Sequence, residues 1–451
     1  MRLRLIAIGL SILLLAGCTA GSIEDALRLP ELPPEVTEFN DEINKIRASG
    51  AELIAPEAGT NRQSIQLTDL DGDGQDEGVA FFRDSSNKYK TSVYIFKKKG
   101  ESYDIHSKID GPGNTIESVS YADLLGNGNN EIIIGWSLSD SDARSMTVHE
   151  LQDGGMRKLC EVPYLYYLVG DLNNNGISDL SVVYNDPLGN VRRLALYCKS
   201  GPDFLFSSSA PISQINGPIV RIRAGSAAEN LPAVYVETQY KGNGLITDIV
   251  ACSNGKLQNV TYSEQAKASI ATARMVFAFC EDINDDGFLD VPSAEPLPGY
   301  EHAGEGETLW GMVWSEYDAA RGLKPVAYTY YSLDSNWKIT LPMEWNGKIT
   351  ASRTITQNDF GGEQDRVVFY GYNEEHGRGE ELFSIFMFTG QRRDKLAAEP
   401  GRVTLLTRAD AVYAAEIKKK VSYGGYDINE NMIKERFSYR ESEWTSGEVV
   451  S

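Results

Sequence analysis

Asp69-Leu70-Asp71-Gly72-Asp73-Gly74-Gln75-Asp76-Glu77 is the stretch that decides how this chain folds, because it recurs. Asp123-Leu-Leu-Gly-Asn127-Gly-Asn-Asn-Glu131, Asp171-Leu-Asn173-Asn-Asn175-Gly-Ile177-Ser-Asp179 and Asp282-Ile-Asn284-Asp-Asp286-Gly-Phe288-Leu-Asp290 keep its spacing. Each copy has an oxygen-bearing side chain at positions 1, 5 and 9 and a glycine at position 6, and all but the second add one at position 3. Hard cations such as calcium take about six to eight oxygen ligands, from carboxylates, amides and backbone carbonyls. Oxygens on alternate residues converge only where the chain turns sharply, and glycine permits that turn because positive φ costs it nothing. The expected calcium ligands are therefore Asp69, Asp71, Asp73, Gln75 and Glu77, then Asp123, Asn127 and Glu131. The later loops add Asp171, Asn173, Asn175, Ile177 and Asp179, and Asp282, Asn284, Asp286, Phe288 and Asp290. Ile177 and Phe288 have only a backbone carbonyl to give.

An EF-hand would need a bidentate Glu at position 12 and a helix on each side. Position 12 holds Ala80, Ile134, Val182 and Ser293. The loops are followed by Gly78–Phe82, Ile132–Trp136 and Leu180–Tyr184, and preceded by Ser64–Leu67, Ile116–Ser120, Leu165–Val169 and Met275–Phe279. Short β-branched and aromatic runs bounded by turn residues read as strands. The unit is strand, cation loop, strand.

The loops begin at Asp69, Asp123, Asp171 and Asp282, a period of roughly 50 residues with one double-length gap. That gap predicts a copy without its loop, with strands at Ile219–Arg223 and Ala233–Glu237 and too few carboxylates between them. Further strands are expected at Ser92–Phe96, Met146–Glu150, Leu194–Cys198 and Ile246–Cys252. Three to four strands per repeat is the pattern of propeller blades, each burying its faces on its neighbours. These loops and strands resemble FG-GAP or VCBS repeats, relatives of the integrin α-subunit N-terminal propeller. The resemblance runs from Ser64 to Ser332 and implies calcium held between blade strands, with a role in adhesion or ligand binding.

The expected fold is mainly β. A β-propeller over 64–334 has about five recognisable blades and room for up to seven, the fifth completed by Leu309–Trp314 and Pro325–Tyr331. A small α+β domain over 335–451 follows, with strands at Lys348–Ile355, Arg366–Tyr372, Leu382–Phe388 and Ala411–Ile417 and helices at Gln391–Glu399 and Asn429–Glu441. Asp334–Trp345 reads as the junction.

The N-terminus is an address. Met1–Arg4 is basic, Leu5–Leu15 is apolar but shorter than the ~20 residues a spanning helix needs, and small residues precede Cys18. Leu15-Ala16-Gly17-Cys18 resembles a bacterial lipobox, which implies cleavage of 1–17 and lipidation of Cys18. Residues 18–34, with Pro30, Pro33 and Pro34, then form a tether, and 35–63 a helix and lead-in with Val36, Phe39, Ile43 and Ile46 on one face. The expected location is exported, held to the outer face of the bacterial cell membrane by acyl chains on Cys18. Net charge of −21, from 64 acidic against 43 basic residues, argues against a nucleic-acid partner. Cys160, Cys198, Cys252 and Cys280 lack zinc-site spacing, and a Cys252–Cys280 disulfide is open.

Calcium in such loops is expected to be structural, at three to four sites, since clustered carboxylates repel until a divalent ion joins them. Acid count ranks Asp69–Glu77 tightest and Asp123–Glu131 weakest. His106, His149, His302 and His376 show no triad or metal spacing, and no phosphate loop or nucleophile elbow occurs. Trp310, Trp314, Tyr317, Tyr328, Tyr330 and Tyr331 are expected to fill the space between blades, with a sugar-binding face as the alternative. The leading expectation is a non-catalytic, calcium-stabilised binding, adhesion or scaffold module for an extracellular protein or glycan. The alternative is a surface polysaccharide lyase or hydrolase built from a carboxylate pair.

Overall fold

The computed structural model describes residues 40–84, 90–100, 102–138, 143–189, 191–304, 306–332, 334–357, 361–417 and 421–439. The segments expected to be a signal and a tether, with Cys18, Val36 and Phe39, lie outside them. No helix among the described residues is long and apolar enough to cross a membrane.

Six antiparallel sheets of four or five strands follow one another along the chain, and a two-stranded sheet, Val421–Tyr423 with Tyr426–Ile428, comes after them. Sheet 1 is built from Ile65–Thr68, Glu77–Asp84, Thr91–Lys99 and Ser102–Asp110, and Ala51–Ile54 extends its first edge. Sheet 2 runs Thr115–Ala122, Glu131–Ser137, Arg144–Gln152, Gly155–Pro163, and sheet 3 runs Tyr166–Gly170, Asp179–Asp186, Val191–Ser200, Asp203–Pro211. Sheet 4 runs Ile219–Ala228, Leu231–Tyr240, Gly244–Ser253, Lys256–Asn259. Each is an up-and-down meander of blade type.

The second strands explain their own sequences. In Ile132-Ile133-Ile134 the outer two side chains enter the core shared with sheet 1, and Ile133 enters the core shared with sheet 3. A strand buried on both faces has no polar side, so its sequence is a continuous apolar run instead of an alternation. The same logic stacks sheet 3 on sheet 4 through Val183, Leu194 and Leu196 against Ile222, Val234 and Val250. Sheet 1 turns Val79 and Phe81 toward sheet 2, while Ala80 and Phe82 meet Ile43 and Ile46 of helix Asn40–Ala48. Late in the chain a short helix, Arg393–Ala397, covers a sheet face made by Phe386, Phe388, Val412 and Ala414 through Ala397 and Leu396. Both ends of the array are thus closed by a helix.

Sheet 5 runs Val291–Pro296, Trp310–Asp318, Gly322–Ser332, Trp337–Leu341 and receives Phe437–Tyr439 from the far end of the chain. Sheet 6 orders Ile349–Gln357, Glu363–Asn373, Gly377–Thr389, Ala411–Glu416, Arg402–Thr407. Sheets 2 and 5 repeat one device: Trp136 and Trp314 on second strands donate their indole N–H groups to Thr147 and Thr329 on third strands, each at 2.8 Å.

Several expectations change. The region expected to be a small α+β domain is mostly sheet, with two short helices, Arg393–Ala397 and Glu430–Arg436. Its core is continuous with sheet 5, where Tyr330, Trp337 and Ile339 pack with Ile349, Phe369 and Ile385. Asp334–Trp345, expected to be the junction, carries a strand of sheet 5 and buries Trp337 and Trp345. Met275–Phe279 forms no strand, only a bridge between Glu281 and Asp290 standing beside the fourth loop. Phe437–Tyr439 is extended, not helical, because it pairs with Trp337–Ile339. Cys252 lies in the core between sheets 3 and 4 and Cys280 in the core between sheets 4 and 5, so burial in two different cores separates that pair. All four described cysteines are free thiols.

Candidate metal-binding loops

In sheets 1, 2 and 3 the nine-residue motif joins the first strand to the second, and in sheet 5 it leads into Val291–Pro296. The four copies share one hydrogen-bond plan. The position-1 carboxylate folds the turn by accepting backbone N–H groups ahead of it. Asp69 takes Gly72 at 2.7 Å and Gly74 at 2.9 Å. Asp123 takes Asn127 and Gly128, Asp171 takes Asn175 and Gly176, and Asp282 takes Asp286 and Gly287. Position 5 then accepts the N–H of position 7: Asp73 from Gln75, Asn127 from Asn129, Asn175 from Ile177 and Asp286 from Phe288. Gly74, Gly128, Gly176 and Gly287 have φ of 84°, 88°, 80° and 91°. A side chain at position 6 would be strained there.

Position 9 closes the plan from below. Glu77, Glu131, Asp179 and Asp290 are buried and accept the N–H of position 2, at 2.9, 2.7, 3.0 and 3.0 Å. Position 2 is itself an apolar anchor: Leu70, Leu124 and Leu172 sit in the cores between sheets. Burial pushes Glu77, Glu131 and Asp290 up to about 7 and Asp179 up to about 6, against the opposing effect of those N–H bonds.

Each loop also leaves one buried oxygen without a donor among the described residues. These are Asp71 Oδ1, Glu131 Oε1, Asn173 Oδ1 and Asp290 Oδ1. An unsatisfied buried acceptor costs about 1–3 kcal/mol, more when charged, so four at equivalent turns fit a cation as the missing partner. In the first loop, carboxylate oxygens of Asp69, Asp71 and Glu77 all lie within 4.8 Å of one another. This donor set, oxygen only and rich in carboxylate, suits calcium better than zinc or copper.

The first three loops stand side by side. Asn130 of the second donates its backbone N–H to Leu70 O at 3.1 Å and its Nδ2 to Asp69 O at 2.8 Å. A Cβ on Gly72 would come within 2.7 Å of Gly128 O, so only glycine allows this approach. Ile177 of the third packs against Gly126 of the second. Sheet 4 has no loop: Ala228 pairs with Leu231 across a hairpin in which Asn230 takes φ of 56°.

Sequence reasoning missed the residues facing these loops from the third strand of sheets 1 to 3 and from Trp310–Asp318 of sheet 5: Lys97, Glu150, Cys198 and Glu316. Lys97 Nζ lies 2.5 Å from Asp71 Oδ2. Their signal was the strand register, with Glu77 to Lys97, Glu131 to Glu150 and Asp179 to Cys198 nearly evenly spaced. The aromatic group is interior: Trp314, Tyr328, Tyr330 and Tyr331 are buried, and Trp310 and Tyr317 are half-buried.

No family model matches the chain, and no curated protein matches it. Among solved structures it is similar to the exotype rhamnogalacturonan lyase YesX at 10% identity and a TM-score of 0.29, covering 73% of this chain and 74% of that one. It is also similar to the Saccharomyces cerevisiae protein Sqt1, at 9% identity and a TM-score of 0.27, covering 69% and 82%. A third likeness is to the Dos1 propeller, at 8% identity and a TM-score of 0.28, covering 81% and 82%.

Proposed function

We propose that this chain is a lipid-anchored bacterial surface protein whose blade array is locked by calcium in its acidic turns and acts as a non-catalytic binding or scaffold module. The supporting observation is the repetition: four turns with the same hydrogen bonds, each with one buried oxygen left for a cation. A reaction centre needs one constellation of acid, base and electrophile. Four equivalent turns, each tied to a core through position 2, fit ions that stiffen successive sheets. Bound calcium would take the position-1, -3, -5 and -9 oxygens and remove the mutual repulsion of Asp69, Asp71, Asp73 and Glu77. The anchor rests on Cys18, and the partner class is an extracellular protein or glycan.

The test is a glycan and surface-protein binding screen of the purified chain, with calcium and with chelator, combined with product analysis. Saturable binding that chelation abolishes, with no product, supports the reading. Turnover of any glycan would replace it with the polysaccharide-active alternative.

A further inference from the structure

Antiparallel register sets one residue of the neighbouring strand opposite each position-9 carboxylate. Gly78 pairs with Phe96, so Lys97 stands opposite Glu77. Ile132 pairs with His149, so Glu150 stands opposite Glu131. Leu180 pairs with Tyr197, so Cys198 stands opposite Asp179. Val291 pairs with Ser315, so Glu316 stands opposite Asp290. Opposed residues project to the same face with Cβ atoms about 4.5–5.5 Å apart. One structural position therefore carries an ammonium, a carboxylate, a thiol and a carboxylate.

What each does differs. The Lys97 ammonium already holds Asp71, one of the oxygens that loop 1 would offer an ion. Glu150 is turned to Arg157 Nε and Gln152 Nε2, both at 2.8 Å, and is largely neutralised. Glu316 is turned to its loop: Asn284 Nδ2 donates to its Oε1 at 3.3 Å and to Asp286 Oδ2 at 2.8 Å, so one amide bridges the two carboxylates. Asp282, Asp286, Asp290 and Glu316 make no ion pair among the described residues, although Lys324 stands across the sheet from Glu316. Asp290 is 0% exposed and its Oδ1 has no donor. Two carboxylates bridged by one amide, with a buried, unpartnered third on the strand facing Glu316, are an arrangement that a divalent ion would complete.

We propose that Glu316 is an off-loop ligand that makes Asp282–Asp290 the tightest divalent-cation site of the chain, and that Lys97 is a built-in competitor that weakens Asp69–Glu77. This rests on the calcium reading of the loops and reverses the rank obtained by counting acids within them.

Calcium titration of the full chain, stripped of metal and followed by calorimetry, tests it. Asp282→Ala removes the tightest step and so assigns it. Glu316→Gln, which keeps an acceptor for Asn284, weakens that step about tenfold, since site charge tunes calcium affinity. Lys97→Met tightens the loop 1 step by a similar factor, and a gain of affinity cannot come from misfolding. If the wild type takes up calcium but neither Glu316→Gln nor Lys97→Met moves any step, this inference falls and the calcium reading stands. A wild type that takes up no calcium overturns both.

Discussion

Sheets 2 and 4 each bury a carboxylate completely, and they satisfy it in opposite ways. Glu131 of sheet 2 is 0% exposed, accepts the N–H groups of Leu124 and Leu125 on one oxygen, and leaves the other bare. Asp248 of sheet 4 is equally buried, but the backbone N–H and hydroxyl of Ser213, the amide of Asn259 and the hydroxyl of Ser269 saturate it. Nearby, Glu237 accepts from Arg274 Nη2 at 2.7 Å and from the Cys280 N–H at 2.9 Å. The carboxylates of the sheet without a loop find their donors within the chain, whereas each loop keeps one buried oxygen without a donor among the described residues. Charge burial here is a matter of who supplies the counter-charge.

That contrast is broken most forcefully at Arg274. Replacing it with Met leaves buried Glu237 with only the more distant Arg221, whose Nε lies 3.8 Å from Oε2, and breaking a buried pair costs about 3–5 kcal/mol. The loss, read by urea denaturation, is expected to be the same with and without calcium. A loss that calcium reverses would show that sheet 4 also depends on metal.

The next effect, smaller per site, is calcium-dependent. Ligand at 100 times its dissociation constant stabilises by about 2.7 kcal/mol per site. Calcium is expected to raise the denaturation midpoint of the wild type by that order, and chelator to remove the gain. An Asp248→Asn variant should keep the whole calcium increment, because its network lies outside the loops.

The smallest effect sharpens the comparison through pH. Burial raises the folded-state Glu77, Glu131 and Asp290 to about 7, above their unfolded values. A carboxyl with a raised folded pKa binds its proton more tightly in the folded state, so its contribution is full below the unfolded pKa and fades as pH rises through 7. The metal-free chain is therefore expected to melt at progressively lower temperature between about pH 4.5 and 7. Calcium should flatten this slope and release protons on binding near pH 6.5, visible as a dependence of binding heat on buffer. A metal-free chain that gains stability over that window would contradict the loop electrostatics.

Much of this was legible in the sequence. The loops declare themselves by spacing and by glycine at position 6, and the buried second strands by runs such as Ile132-Ile133-Ile134. The loopless fourth repeat followed from the gap before Asp282. Sheet 6 stayed hidden because no cation turn marks its period, so its strands read as a separate domain. Met275–Phe279 has strand composition but is held as irregular chain around Arg274, whose Nε donates to Ala278 O. Lys97 left only its even spacing behind the loop, and Glu316 not even that, for a different reason. Their meaning depends on which residue faces which across a hairpin, and a bulge or a longer connection shifts that register without leaving a local mark.

Equilibrium dialysis of the metal-free full chain against calcium, with bound metal counted per chain, tests the central claim most directly. Three to four ions per chain are expected at millimolar free calcium, one fewer in Asp282→Ala and one fewer in Asp69→Ala. A chain that binds none, or whose stoichiometry survives both substitutions, would contradict it.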